Sequence, residues 1–184
     1  MSTPTSHFAP LARLLHWLMA LMIIAMLFIG AGMVASVSER HEWMLNIHKP
    51  LGIAILLLAV VRLVVRFSTR QPPLPEDLPA VQVLAAKLSH YLLYALMLGM
   101  PLIGWAMISA AGDPVMLGHS LRLPSIVPAH AETFAWLRAA HRYLAYLLFL
   151  TVLAHLAAAL FHGWVRRDDV LESMLKGQPR DRGL

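Results

Sequence analysis

HRYLAYLLFLTVLAHLAAALFHGWV, residues 141–165, decides the reading of the whole chain. From Tyr143 to Val165 it carries no Asp, Glu, Lys or Arg. About 20 such residues, wound as a helix, cross the ~30 Å hydrocarbon core of a bilayer. The segment is therefore read as a transmembrane helix. It also carries His141 and His155, fourteen residues apart. At 3.6 residues per turn that is nearly four turns, so the two rings share a face within about 40° and stand ~21 Å apart along the axis. Such a helix presents one imidazole to each leaflet.

Three more segments resemble it. Leu14 to Ser38 and Leu88 to Gly112 are free of charge. Pro50 to Val61 is uncharged but short, and reaches spanning length only when extended from about Met44 to Phe67, with Lys49, Arg62 and Arg66 near its ends. Four helices follow, at roughly 12–37, 44–67, 86–110 and 136–165, in one transmembrane domain over residues 1–184. The composition agrees: 59% hydrophobic and 14% charged, against about 45–50% and about 25% in soluble chains. Val34-Ala35-Ser36 loosely resembles a signal-peptidase site, but the apolar run before it exceeds the 7–15 residues of a signal h-region, roughly speaking, and is read as a retained span.

The basic residues set direction. Arg13, Arg62, Arg66, Arg70, Lys87, Arg166, Arg167, Lys176, Arg180 and Arg182 fall on one side, and Arg40, Lys49, Arg122, Arg138 and Arg142 on the other. The positive-inside rule puts the richer side, with both termini, in the cytoplasm. Because these residues sit at the ends of apolar runs, the basic balance argues for topology and not for nucleic acid. Gln71 to Pro75 reads as a stiff cytoplasmic connector, and residues 111–135 as a long outer loop. There are no cysteines, which excludes disulfides, iron–sulfur clusters, thiol catalysis and covalent haem attachment through CxxCH.

Ten histidines need an account in a chain this apolar, since polar groups at membrane depth are costly and face the bundle interior. His16 lies at the inner end of the first helix, at the depth of His155. His48 opens the second on the outer side, at the depth of His141. The four match as two pairs, and two imidazoles on opposite faces of a porphyrin make a six-coordinate iron suited to electron transfer. A lone histidine near a helix end is more often an interfacial hydrogen-bonding residue, and His7, His41, His119 and His130 are read that way. A zinc site or a proton path competes for the four. Zinc ligands converge on one point, and proton paths usually add carboxylates at depth, which these spans lack. Arg62 and Arg66, one turn apart, either snorkel to the interface or pair with haem propionates. Gly30, Gly32, Gly52, Gly99 and Gly104 are read as sites of close helix or porphyrin approach, Pro101 as a kink, and the methionines as packing or lipid-facing residues. His162 and His90 lie at the inner end without a matching partner, and are read as lining a quinone pocket or as touching lipid headgroups.

The ordered set Leu15-His16-Trp17, Ile47-His48-Lys49, Val60-Val61-Arg62-Leu63 with Arg66, Ser89-His90-Tyr91-Leu92, and His141 followed by Leu153 to Leu160 resembles the prokaryotic cytochrome b561 family over about residues 10–170. Within it the chain is most similar to the small stand-alone superoxide oxidases. The resemblance implies an all-α integral membrane four-helix bundle of the bacterial inner membrane with two haems b between the helices. It implies His16 and His155 on the cytoplasmic-side haem, His48 and His141 on the periplasmic-side haem, and electron passage from superoxide to ubiquinone. The stretch Gly118 to Arg122 and Pro124 to Ala131 departs from the family pattern, which bears on the electron donor. Two other functions remain open at this point: a haem-b electron-transfer subunit serving a periplasmic dehydrogenase, hydrogenase or soluble cytochrome, and a histidine-lined ion transporter without haem.

Overall fold

The computed structural model describes residues 7–35, 37–117 and 121–176. His119, with Gly118 and Ser120, lies outside the described residues, as do Ser36 of the signal-like triplet and the basic residues Arg180 and Arg182.

Four long helices dominate: α1 (Pro10–Val34), α2 (Glu39–Ser68), α3 (Ala80–Ala110) and α4 (Ala131–Leu160), the last continuing into a π-helical turn, Phe161–Arg166. All four are long and apolar enough to cross a membrane. Large apolar side chains face outward along them, Phe28 at 76% and Phe67 at 81% exposure among them. In water that surface would be untenable; in a bilayer it is the solvated face. The chain is a multi-pass membrane protein.

α2, α3 and α4 are longer than their charge-free windows, while α1 has the same 25 residues shifted toward the N-terminus and ends at Val34, three residues before the expected 37. α2 begins five residues before the expected position, because Glu39 and Glu42 occupy its first turn, where a carboxylate stabilises the helix N-terminus. α4 begins at Ala131, with His130 as its N-cap: Nδ1 accepts from the Thr133 N–H at 3.4 Å. Searching for uncharged residues finds the hydrocarbon-crossing part of a helix and stops short of its charged ends. Pro50 and Pro101 lie inside α2 and α3 without ending them.

α1 packs along α2, α2 along α3, and α3 along α4. Among the described residues, no comparable backbone packing joins α4 to α1 or to α2. The central core is Met19 and Ile23 of α1, Ile55 and Ala59 of α2, and Met97 of α3, with Leu96, Met100 and Leu148 adjoining. Leu148 falls between His141 and His155 on α4, and Met19 and Ile23 lie past His16, Ile55 and Ala59 past His48, and Leu96, Met97 and Met100 past His90, so an apolar layer separates the inner histidines from the outer ones. Three of the methionines are buried packing residues here, as their flexible thioethers suit them to be. Thr151, buried in the same layer, satisfies its hydroxyl on the Leu147 carbonyl at 2.7 Å, the internal partner a membrane interior requires.

Three short elements were not expected from sequence. Val115–Leu117 (β1) and Leu121–Leu123 (β2) pair antiparallel, Met116 opposite Arg122, within the outer loop. That loop is tied to α3: Trp105 Nε1 donates to the Pro124 carbonyl at 2.9 Å, and the Ile126 N–H donates to Ser109 Oγ at 3.3 Å. At the other end, Asp169–Leu175 forms α5, a short strap. It crosses to α1, where the Phe8 N–H donates to the Ser173 carbonyl at 3.3 Å and Trp17 Nε1 to the Met174 carbonyl at 3.2 Å.

Candidate functional site

α4 meets α1 and α2 through histidines. The His48 and His141 rings stand 6.2 Å apart, centroid to centroid, at an interplanar angle of 66°. His16 and His155 stand 6.3 Å apart at 56°. The fourteen-residue spacing on α4 thus does what helix geometry predicts, and presents one ring to a partner on α2 and one to a partner on α1. Both pairings expected from depth are formed.

The separations are informative. A ligating imidazole nitrogen sits roughly 2 Å from a first-row metal. Two rings on opposite faces of one such ion therefore have centroids about 6 Å apart. The two pairs have that separation, and they bridge the helices whose backbones stand off from one another. Among the described residues, no group of three or more His, Cys, Asp or Glu side chains is arranged to hold a metal ion, so the convergent zinc reading finds no support.

The outer pair is apolar around its rings. The Nδ1 atoms of His48 and His141 are buried and make no hydrogen bond, although the Met100 carbonyl faces His141. A histidine in this setting is an incomplete unit, since a buried polar nitrogen without a partner costs about 1–3 kcal/mol. The glycines beside them explain the fit. A Cβ on Gly104 would come within 3.3 Å of His141 Cε1, and one on Gly30 within 3.9 Å of His48 Cε1. Gly32 is also a close approach, to Met44, and Gly52 an ordinary contact with Met26. Gly99 has nothing within 4 Å of its Cβ position, so it makes no close contact with a neighbouring helix.

The inner pair is charged. Arg62 reaches into the bundle, Nη2 donating to His16 Nδ1 at 2.8 Å. Its guanidinium and that of Arg66 both lie over the Tyr94 ring, at 5.5 and 5.6 Å. One helical turn places both cations on the face of α2 that meets α3, and an aromatic face holds a guanidinium well in a dry setting. Snorkelling outward does not describe Arg62. Tyr94 was not singled out from sequence; its position four residues after His90 was the available signal. His90 lies 5.4 Å from His155, edge to face, so the inner end carries three imidazoles.

His162 lies in the π-helical turn that follows α4. Its Nδ1 lies 2.6 Å from Asp168 Oδ2, and Arg166 bridges Asp168 (3.1 Å) to Asp77 of the α2–α3 connector (2.6 Å). Burial alone would push the Asp168 carboxyl up, but hydrogen bonds from His162, the Val170 N–H and Arg166 outweigh it and hold Asp168 below its usual range. Of the histidines read as structural, His41 bonds the Met33 carbonyl at 3.0 Å and His130 caps α4.

Four apolar spans enclosing two depth-separated histidine pairs define a class: membrane proteins that hold redox groups between helices. The chain belongs to the prokaryotic cytochrome b561 family, whose sequence pattern it matches over residues 7–177. It is a membrane protein of haem-based electron transfer. It is similar to a probable superoxide oxidase of Yersinia pestis, 32% identical over 171 residues covering 92% of this chain and 94% of that one. It is also similar to cytochrome b561 homolog 2 of Escherichia coli (strain K12), 28% identical with 92% and 91% covered. Cytochrome b561 homolog 1 of the same organism is 29% identical, with 88% and 92% covered.

Proposed function

We propose that this protein is a superoxide:ubiquinone oxidoreductase of the bacterial inner membrane, with both termini in the cytoplasm and two haems b. His48 and His141 would hold the outer haem and His16 and His155 the inner one. The observation that carries the reading is the pair of 6.2 and 6.3 Å ring separations on either side of an apolar layer. Bound haem supplies one-electron carriers at two depths of the membrane.

The chain's own residues supply the rest. The buried Nδ1 atoms of His48 and His141 keep the outer rings' inner edges out of solvent, and Gly104 leaves room for the His141 ring. At the inner end Arg62 and Arg66 would hold haem propionates. A metal on Nε2 of His16 would put that ring's proton on Nδ1, where Arg62 now donates, and turn the guanidinium toward a carboxylate. On the outer side Lys49, Arg122, Arg138 and Arg142 attract a small anion such as superoxide, against Glu39, Glu42, Asp113 and Glu132. With four cations against four carboxylates the net field is weak, so the steering would have to come from a local excess of positive charge; such attraction can raise on-rates by about 10–10³. At the inner end His162 and His90 line the ubiquinone pocket, where an imidazole hydrogen-bonds a quinone oxygen and supplies a proton. Two superoxide anions each lose one electron to become dioxygen, and ubiquinone takes the two electrons and two protons to become ubiquinol. Were each haem held by its two histidines, superoxide would have no site on the metal, and the reaction needs no nucleophile.

The test mixes purified protein with a superoxide source and ubiquinone. Fast haem reduction, slowed by added salt as screening grows, with ubiquinol formed, supports the reading. Haem reduction no faster than superoxide dismutates would remove it. The electron-transfer-subunit reading would then stand in its place, supported by the same histidine geometry; co-purification of a large periplasmic partner would mark it.

A further inference from the structure

We propose that Asp168 is the positioning residue of the inner site: it fixes the ring of His162 so that Nε2 is the nitrogen presented to the quinone. This rests on the quinone reading of His162 above, and adds to it a residue that the sequence did not single out.

The contacts determine the tautomer. Asp168 is held ionised by two donors besides the His162 ring, the Val170 N–H (3.2 Å to Oδ1) and Arg166 Nε (3.1 Å to Oδ2). An ionised carboxylate only accepts hydrogen bonds. At 2.6 Å from Asp168 Oδ2, Nδ1 of His162 must therefore carry the proton. Nε2 is left as the nitrogen free to exchange one. The carboxylate also offsets the charge of the ring when both nitrogens are protonated, the role an aspartate plays beside a catalytic histidine. In that form Nε2–H passes its proton to a quinone oxygen and the ring becomes neutral, with Nδ1–H still on Asp168. The ring is 16% exposed, which leaves it open to reprotonation from cytoplasmic water.

The backbone is built to hold this carboxylate in place. The π-helical turn ends at Arg167 in a left-handed conformation, φ 56°. This reverses the chain, and the Asp168 N–H donates to the His162 carbonyl at 3.3 Å. Asp168 is then the N-cap of α5. Gly163 allows the strap to close: a Cβ there would lie 2.5 Å from Leu171 Cδ2. Arg166 extends the same carboxylate to Asp77, so the α2–α3 connector, the end of α4 and the strap share one polar junction beside the inner histidines.

The experiment compares Asp168→Asn, Asp168→Glu, Asp77→Asn and His162→Gln in the full haem-loaded protein, with haem content and superoxide-driven haem reduction as controls. Asp168→Asn should lower kcat for quinone reduction about tenfold or more while KM for quinone stays within about twofold, because positioning acts on proton transfer more than on binding. Asp168→Glu should recover part of the loss. Asp77→Asn, which breaks only the exposed arm of the junction, should leave kcat near wild type. An unchanged kcat in Asp168→Asn, or an equal fall in Asp77→Asn, overturns the proposal while the quinone reading survives a His162→Gln defect. Wild-type kinetics in His162→Gln overturns both. Should Asp168→Asn fail to assemble, nitrogen NMR of histidine-labelled wild-type protein decides: the His162 signal, assigned by its loss in His162→Gln, should show the proton on Nδ1, and a proton on Nε2 alone refutes the assignment.

Discussion

Replacing Gly104 by alanine should loosen the outer haem and leave the inner one in place. The new Cβ would lie 3.3 Å from His141 Cε1 and 3.6 Å from its Nδ1, against an optimum of about 3.5–4.0 Å for carbon contacts. The ring must yield by a few tenths of an ångström or rotate, and α3 packed along α4 gives it little room. Overpacking of this size costs about 1–3 kcal/mol, which is roughly 5- to 150-fold in retention of a group held by that ring. Gly99→Ala is the control: it lies on the same helix, five residues away, with nothing within 4 Å of its Cβ position, and should be neutral or slightly stabilising through helix propensity. The assay is haem per chain after detergent purification, followed by the temperature at which each haem is released. Gly104→Ala with full haem and an unshifted release temperature would show that His141 is not confined as argued, and the same loss in Gly99→Ala would assign the effect to the helix and not to the ring.

Four further outcomes are expected. His→Ala at 48 or 141 should remove the outer haem and at 16 or 155 the inner one, read from the spectrum; two haems retained in all four variants would refute the pairing. A reporter enzyme active only in the periplasm, fused after residue 184, should be inactive, and strong activity there would refute cytoplasmic termini. The junction at Asp168 should weaken in acid. Its folded pKa lies below the ordinary 3.8, so its contribution is present above about pH 4 and is lost as the pH falls through the folded value. Protease cleavage near α5 should rise in that range in the wild type, and an equal rise at neutral pH would show that the carboxylate contributes nothing. Arg62→Gln should weaken the inner haem and spare the outer, and equal loss of both would mean that Arg62 acts on the bundle as a whole.

What could be read from the sequence was governed by range. His141 and His155 lie on one helix, so helix geometry relates them directly, and depth supplies His48 and His16 as partners. Four spans follow from apolar length alone. Their ends did not, because Glu39, Glu42 and Glu132 belong to helices that continue past the hydrocarbon. The site's polar shell was less legible. Arg62 was singled out, but its contact with His16 spans 46 residues, and the Arg166–Asp77 pair spans 89. No local pattern encodes such a pair. The π-helical turn that carries His162 is invisible to a 3.6-residue period. α5 was missed since its seven residues are too few for periodicity to register; the Asp168 cap before them was the available signal. His90 was placed at the inner end correctly, yet its approach to His155 depends on how α3 leans on α4, which only the packing fixes.

The most direct test of the account is an absorbance spectrum with haem quantification on the protein purified in detergent. Two haems b per chain, both low-spin with two histidine ligands, are predicted. One haem per chain, or none, would contradict the reading of the two histidine pairs on which everything else rests.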